Sequence, residues 1–135
     1  MKMPPQQYLV VDDDTTSNLI CKLIIKKFNP DAGIELFADP QKALEFIETH
    51  YSETPNPKPT LLFLDVNMPV MSGFEFLDEY KKFDAEIRDQ FIIYMLSSSI
   101  EDFNSQSLIY PCVSGFLTKP LRTNDLEEIF RVLSS

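Results

Sequence analysis

The stretch "LLFLDVNMPVMSGFEFL" (residues 61–77) carries the strongest fold signal in the chain. Four apolar residues in a row, Leu61 to Leu64, suit a strand buried on both faces, because a half-buried strand would alternate apolar and polar positions. The run then stops on a carboxylate, Asp65. Asn67, Met68-Pro69 and Gly73 form a braced turn, and from Phe74 the apolar spacing becomes helical. Ser72-x-x-Glu75 has the form of a capping box and predicts a helix over 74–83. A strand that turns directly into a helix is one β-α unit of a larger pattern.

The same signature recurs on both sides of this stretch. Short runs rich in branched and aromatic residues predict further strands at 8–11, 34–37, 91–96 and 113–117. Helical spacing fills the gaps between them. In "NLICKLIIKKF" (18–28), Leu19, Ile20, Leu23, Ile24 and Phe28 are expected to form the buried stripe. In "DPQKALEFIETHY" (39–51), Asp39 caps a helix with Pro40 at its first position, and Ala43, Leu44, Ile47 and Tyr51 face inward. Ser98-x-x-Glu101 predicts a helix after the fourth strand. Thr123 or Asn124 caps the last one, with Leu126, Ile129, Phe130 and Leu133 as its apolar face.

Strict alternation of strands and helices implies an α/β fold with a parallel sheet covered on both faces, because parallel strands need right-handed crossovers. The expected fold is a five-stranded parallel sheet in the order 2-1-3-4-5 flanked by five helices, which is flavodoxin-like. The proline-rich "SETPNPKP" (52–59) joins a helix back to a strand and is read as a stiff spacer at the edge away from any site.

Bulk properties narrow the function. At 135 residues the chain is expected to be one domain, 1–135, with a core of about 7–134. A net charge of −9 argues against binding nucleic acid directly. The two cysteines, Cys21 and Cys112, form no metal pattern and suit a reducing compartment, and Cys21 is expected to be a buried thiol. No apolar run approaches the roughly 20 residues that span a bilayer, so no membrane insertion is expected and a cytoplasmic location is.

Polar groups converge at the C-terminal ends of the strands. Asp12, Asp13 and Asp14 follow the first, Asp65 the third, Ser97, Ser98 and Ser99 the fourth, and Thr118, Lys119 and Pro120 the fifth. With strands one and three adjacent, Asp12 and Asp13 come within reach of Asp65. Clustered carboxylates repel one another unless a cation intervenes, and carboxylates without histidine or thiolate favour Mg²⁺ or Mn²⁺. Lys119 and Ser97 could each take an oxygen of a tetrahedral dianion, leaving Asp65 as a nucleophile for phosphoryl transfer. Asp14 reads as a solvated residue at a helix start, Ser98 and Ser99 as caps, and His50 as a surface residue on the opposite rim.

"YLVVDDD", "LLFLDVNMPVMSG", "YMLSSS" and "GFLTKP", in that order, resemble the receiver domain of two-component response regulators of the stand-alone type. The resemblance implies that Asp65 is the phosphoacceptor. It implies that Asp12, Asp13, Asp65 and the backbone carbonyl of Asn67 hold Mg²⁺. Lys119 and Ser97 would bond the phosphoryl group, and Ser97 and Phe116 would act as switch residues. The Lys119–Pro120 bond is often cis in that family, and the positions of Asn67 and Ser99 tune hydrolysis. The implied partners are a sensor histidine kinase or histidine phosphotransfer protein as donor and a downstream protein as target. The protein would not be a turnover enzyme, promoting only its own phosphorylation and dephosphorylation. Serine at 97 lacks the methyl of the commoner threonine, and Phe116 cannot donate a hydrogen bond. Two alternatives stand beside this reading. One is a phosphorylation-independent pseudo-receiver, against which the complete acidic set argues. The other is an aspartate-nucleophile phosphohydrolase, which needs a second acid where Asn67 stands.

Overall fold

The computed structural model describes residues 7–53, 59–98 and 110–134. Five parallel strands, β1 (Gln7–Val11), β2 (Gly33–Phe37), β3 (Thr60–Asp65), β4 (Phe91–Ser97) and β5 (Val113–Thr118), form one sheet in the order β2-β1-β3-β4-β5. The expected strands are all present, each within a residue of the range read from the apolar runs. The central strand β3 is buried along its whole length, as its unbroken apolar run requires.

Helices cover both faces. On one side α2 (Pro40–Glu53) and α3 (Gly73–Tyr80) pack on Leu9, Leu62 and Leu64. On the other, α1 (Thr15–Phe28) and the last helix, α5 (Thr123–Ser134), pack on Tyr8, Val10 and Phe63. The α2 face is the expected one, with Ala43, Leu44, Ile47 and Tyr51 all buried, and the Asp39 carboxylate accepts the Gln41 N–H at 2.9 Å. At α3 both halves of the capping box form. Ser72 Oγ accepts from Glu75 N, and Glu75 Oε1 accepts from Ser72 N.

Four expectations are corrected. The helix read over 74–83 stops at Tyr80, and a separate single turn, α4 (Ala85–Arg88), precedes β4. The first two residues of the proline-rich spacer finish α2, while 54–58 lie outside the described residues. α5 begins at Thr123 itself, and its start is held by the Asp125 carboxylate, which accepts the Arg122 N–H at 2.9 Å. The helix expected after Ser98 lies outside the described residues.

The fourth correction concerns α1, which is rotated from the expected stripe. Asn18, Cys21 and Ile25 face the sheet, Ile24 and Phe28 are half-buried, and Leu19, Ile20 and Leu23 are 57%, 38% and 69% exposed. The reason is polar. Asn18 Nδ2 donates to the carbonyl oxygens of Asp12 at 2.9 Å and Phe37 at 3.4 Å. A buried backbone carbonyl demands a donor, so the one amide on this helix fixes which face turns inward.

Two local devices align the strand ends. The β4–β5 pairing steps from Ile93↔Val113 to Tyr94↔Gly115, which brings Ser97 opposite Thr118. Gly73 lets α3 start against β3, since a Cβ there would stand 2.5 Å from both the Asp65 carbonyl oxygen and Met95 Cε. After the undescribed 99–109, the chain re-enters at Tyr110, whose hydroxyl donates to Asp78 of α3 at 2.9 Å.

Candidate functional site

Register sets the acidic cluster. Val11 pairs with Leu64, so Asp12, one residue past β1, comes level with Asp65 at the end of β3. Asp12, Asp13 and Asp65 each present a carboxylate oxygen, all within 4.8 Å of one another. Successive residues leaving a strand point to opposite sides, and here Asp12 and Asp65 are buried while Asp13 is exposed.

Among the described residues one cation faces this cluster. Lys119 Nζ stands 2.7 Å from Asp12 Oδ2 and 3.2 Å from Asp65 Oδ1. Two backbone N–H groups add to it, Asp14 donating to Asp12 Oδ1 at 2.9 Å and Asn67 to Asp65 Oδ1 at 3.3 Å. Burial, and then the Asp12 charge, still push the Asp65 carboxyl up to about 6, with Lys119 acting in the opposite direction. Lys119 is itself raised: burial lowers it, but the hydrogen bonds and charges of Asp12 and Asp65 outweigh that. Among the described residues the three clustered carboxylates face one ammonium, which pairs with Asp12 and Asp65, so the cluster is under-neutralised.

Lys119 reaches this point because β5 ends beside β4. The Lys119 N–H donates to the Ser97 carbonyl at 2.8 Å, and the following Lys119–Pro120 bond is cis, as the family resemblance led one to expect. Ser97 is buried at the end of β4, one residue past the Asp65–Leu96 pair. Phe116, on β5, is half-buried and packs against the α2–α3 side of the core. Asn67 is exposed on the β3–α3 turn. Asp14 lies outside the metal-type cluster and caps α1, accepting from Thr16 N at 2.9 Å and Ser17 N at 3.4 Å. Ser99 lies outside the described residues. His50 is exposed late in α2 with its ring stacked on Phe46 at 4.9 Å.

Asn18 was not singled out from the sequence, yet it supports the loop that carries Asp12. Its signal was legible in retrospect: a lone amide in the apolar stretch of a helix that starts beside three aspartates. A cavity of about 220 Å³ opens next to the cluster, between α1 and the β5–α5 loop, lined by Ile20, Cys21, Ser98, Lys119 and Pro120 among others. Cys21 is buried as expected, burial and the Asp12 charge push its thiol up to about 11, and it is not among the clustered ligand residues. The donors around the cluster are therefore carboxylate and carbonyl oxygens. That set suits a hard divalent ion such as Mg²⁺ or Mn²⁺.

Comparison with known proteins agrees with this geometry. The model of the response regulator receiver domain matches residues 8–131. Response regulator Rcp1 of Synechocystis is 24% identical, over 98% of this chain and 88% of its own length. The chemotaxis protein CheY of Bacillus subtilis is 28% identical, over 93% of this chain and 96% of its own. A crystal structure of a two component response regulator from Cytophaga hutchinsonii superposes with a TM-score of 0.84 at 24% identity, covering 98% of this chain and all of that one. A strand order of 2-1-3-4-5, acidic residues leaving β1 and β3, a lysine leaving β5 and a family match across nearly the whole sequence lead to one conclusion: the chain belongs to the response regulator receiver domain family.

Proposed function

We propose that this chain is a phosphoacceptor of a cytoplasmic two-component relay, with Asp65 as the residue that is phosphorylated. The supporting observation is the cluster of Asp12, Asp13 and Asp65, with Lys119 bridging Asp12 and Asp65. The donor is a sensor histidine kinase or a histidine phosphotransfer protein, and the output is a contact with a downstream protein. No helix among the described residues is long and apolar enough to cross a membrane.

In the transfer, an Asp65 carboxylate oxygen attacks the phosphorus of a phosphohistidine. The O–P bond forms, the P–N bond breaks, and the departing imidazole nitrogen keeps the electron pair and takes a proton from solvent. A Mg²⁺ held by Asp12, Asp13, Asp65 and the Asn67 carbonyl would supply charge neutralisation for the incoming phosphoryl oxygens. Lys119 exchanges its contact with Asp65 for one with a phosphoryl oxygen, and the Ser97 hydroxyl donates to a second. Asn67, an amide, cannot act as the general acid of a phosphohydrolase, which argues against a turnover enzyme of that kind.

The switch rests on those two bonds. Moving an equilibrium from 1:99 to 99:1 takes about 5.5 kcal/mol. Charge-assisted bonds from Lys119 and Ser97, at roughly 1.5–3 kcal/mol each, supply about that amount only together. Phe116 then reports the state through burial, since its ring has no hydroxyl to bond.

Intact-mass analysis after incubation with Mg²⁺ and a small acyl-phosphate donor tests the chemistry. The expected result is one phosphoryl adduct, absent in Asp65→Asn, absent in EDTA and removed by hydroxylamine. An adduct that survives in Asp65→Asn, or no adduct with any donor, overturns the assignment, and the latter would favour a pseudo-receiver.

A further inference from the structure

A side-chain clamp ties the start of β5 to α3. Tyr110, buried just before β5, donates its hydroxyl hydrogen to Asp78 Oδ1 at 2.9 Å. Lys81 Nζ stands 4.6 Å from the centre of the same ring and 3.7 Å from Asp78 Oδ1, and the Phe74 ring packs against it at 5.2 Å. Phe74, Asp78 and Lys81 share one face of α3 and its C-terminal cap, being spaced by one helical turn each. The Val113 N–H donates to the Tyr110 carbonyl at 3.1 Å. The clamped residue therefore turns directly into the strand that carries Phe116 and leads to Lys119.

These contacts close a ring through the acidic site. At its first residue α3 is seated on the end of β3: the Gly73 N–H donates to the Val66 carbonyl at 2.9 Å, and Gly73 lies close against the Asp65 carbonyl. From there the path runs along α3 to Tyr110, along β5 to Lys119, and from Lys119 Nζ back to Asp65 at 3.2 Å. The links differ in how easily they yield. Gly73 and Asp65 are buried, and β5 is held to β4 by backbone pairing. Asp78 and Lys81 are exposed, so water can replace the Tyr110 hydroxyl as their partner. A hydrogen bond whose acceptor can turn to water is the cheapest of these links to open. A phosphoryl group set between Asp65 and Lys119 lengthens the ring at its closing contact, and the Tyr110 clamp is where that displacement is taken up.

We propose that the clamp of Tyr110 on Asp78 and Lys81 is a latch that holds the start of β5 in its resting place and opens when Asp65 is phosphorylated. This rests on the function proposed above and adds to it the contact that opposes the switch. A contact made in the resting state and lost in the switched one lowers the population of the switched state. By linkage it weakens, by the same factor, any ligand that selects that state. Lys119 and Ser97 supply the drive, and the latch sets the threshold that the drive must overcome.

The test titrates beryllium fluoride, a tetrahedral mimic of a carboxylate-bound phosphoryl group, into the ¹⁵N-labelled full chain with Mg²⁺ present, and unfolds each variant in urea alongside. Tyr110→Phe keeps the ring and removes the hydroxyl. Its apparent affinity for beryllium fluoride is expected to rise by about threefold or more, the size of one net hydrogen bond. The ligand-free amides of 110–118 are expected to move toward their bound positions. Asp78→Ala is expected to act in the same way, and the double variant to gain no more than either alone, because both changes break one bond. Glu79→Ala breaks the neighbouring exposed pair with Lys82 and is expected to leave the affinity unchanged. Lower stability with unchanged affinity would make Tyr110 a structural residue only and overturn the proposal. So would a weaker affinity, which places the clamp in the switched state, or an equal gain in Glu79→Ala. A wild type that binds no beryllium fluoride would overturn the phosphoacceptor reading and the latch with it, whereas failure in the variants alone leaves that reading standing.

Discussion

Asp65 is buried beside a second carboxylate, and replacing it with asparagine should stabilise the metal-free protein at neutral pH. Its carboxyl is pushed from 3.8 up to about 6, chiefly by burial and then by Asp12. An acid whose folded pKa lies above its unfolded value binds protons more tightly when folded. Its charge costs nothing below the unfolded pKa, costs progressively more as pH rises through the folded pKa, and costs its full amount above it. A shift of about two units corresponds to at most about 3 kcal/mol. The Asp65 charge interacts with those of Asp12 and Lys119, so its effect is not separable from theirs and the measured figure should fall below that ceiling, at about 1–3 kcal/mol. Asp65→Asn keeps the shape and can still accept from Lys119. In urea denaturation with EDTA, wild type and variant should be equally stable near pH 4, and the variant should lead by that amount near pH 7.5. Mg²⁺ should then offset most or all of that lead, since a ligand that binds the folded wild type but not the variant adds about 2.7 kcal/mol at 100 times its dissociation constant. A variant no more stable than wild type at pH 7.5 in EDTA, or a difference that ignores pH, would refute the view of the cluster as under-neutralised.

Three further outcomes follow from the same geometry. Gly73→Ala places a Cβ 2.5 Å from the Asp65 carbonyl oxygen and Met95 Cε, and overpacking of this kind costs about 1–3 kcal/mol; an unchanged urea midpoint would contradict the close approach. Asn18→Ala removes the side-chain donor to the Asp12 carbonyl, and should cost about 1–3 kcal/mol and weaken Mg²⁺ affinity, read by denaturation and by metal titration. Ser97→Ala should still accept a phosphoryl group but move only part of the way to the switched state; amide shifts on phosphorylation as large as in wild type would rule out the two-bond account.

The strands were readable because each is a short apolar run bounded by turn residues, and in β3 the run is buried on both faces. The helix faces were less so. α2 has apolar residues on one stripe and polar ones elsewhere, and its inward face matched the reading. In α1, Leu19, Ile20, Cys21, Leu23, Ile24, Ile25 and Phe28 wrap most of the circumference, so hydrophobicity alone does not choose a side. Asn18 chooses it, through carbonyls 6 and 19 residues away in sequence. α4 escaped notice because four residues hold no period. The acidic site was legible as carboxylates ending apolar runs, but the difference between buried Asp12 and exposed Asp13 needs the sheet. So does the contact between Gly73 and the Asp65 carbonyl, which spacing along the chain does not reveal.

Two violations of core-building logic lie side by side in this molecule. Asp12 and Asp65 put charge where a sheet edge is buried, with one lysine against three carboxylates. Leu19, Ile20 and Leu23 put apolar surface where a helix meets solvent. Each works against stability or solubility, and rules of this kind are broken where function repays the breach. The two meet at Ile20 and Lys119, in the walls of a single cavity. The carboxylates ask for a cation, so removing Mg²⁺ should cost the wild type stability that Asp65→Asn does not lose.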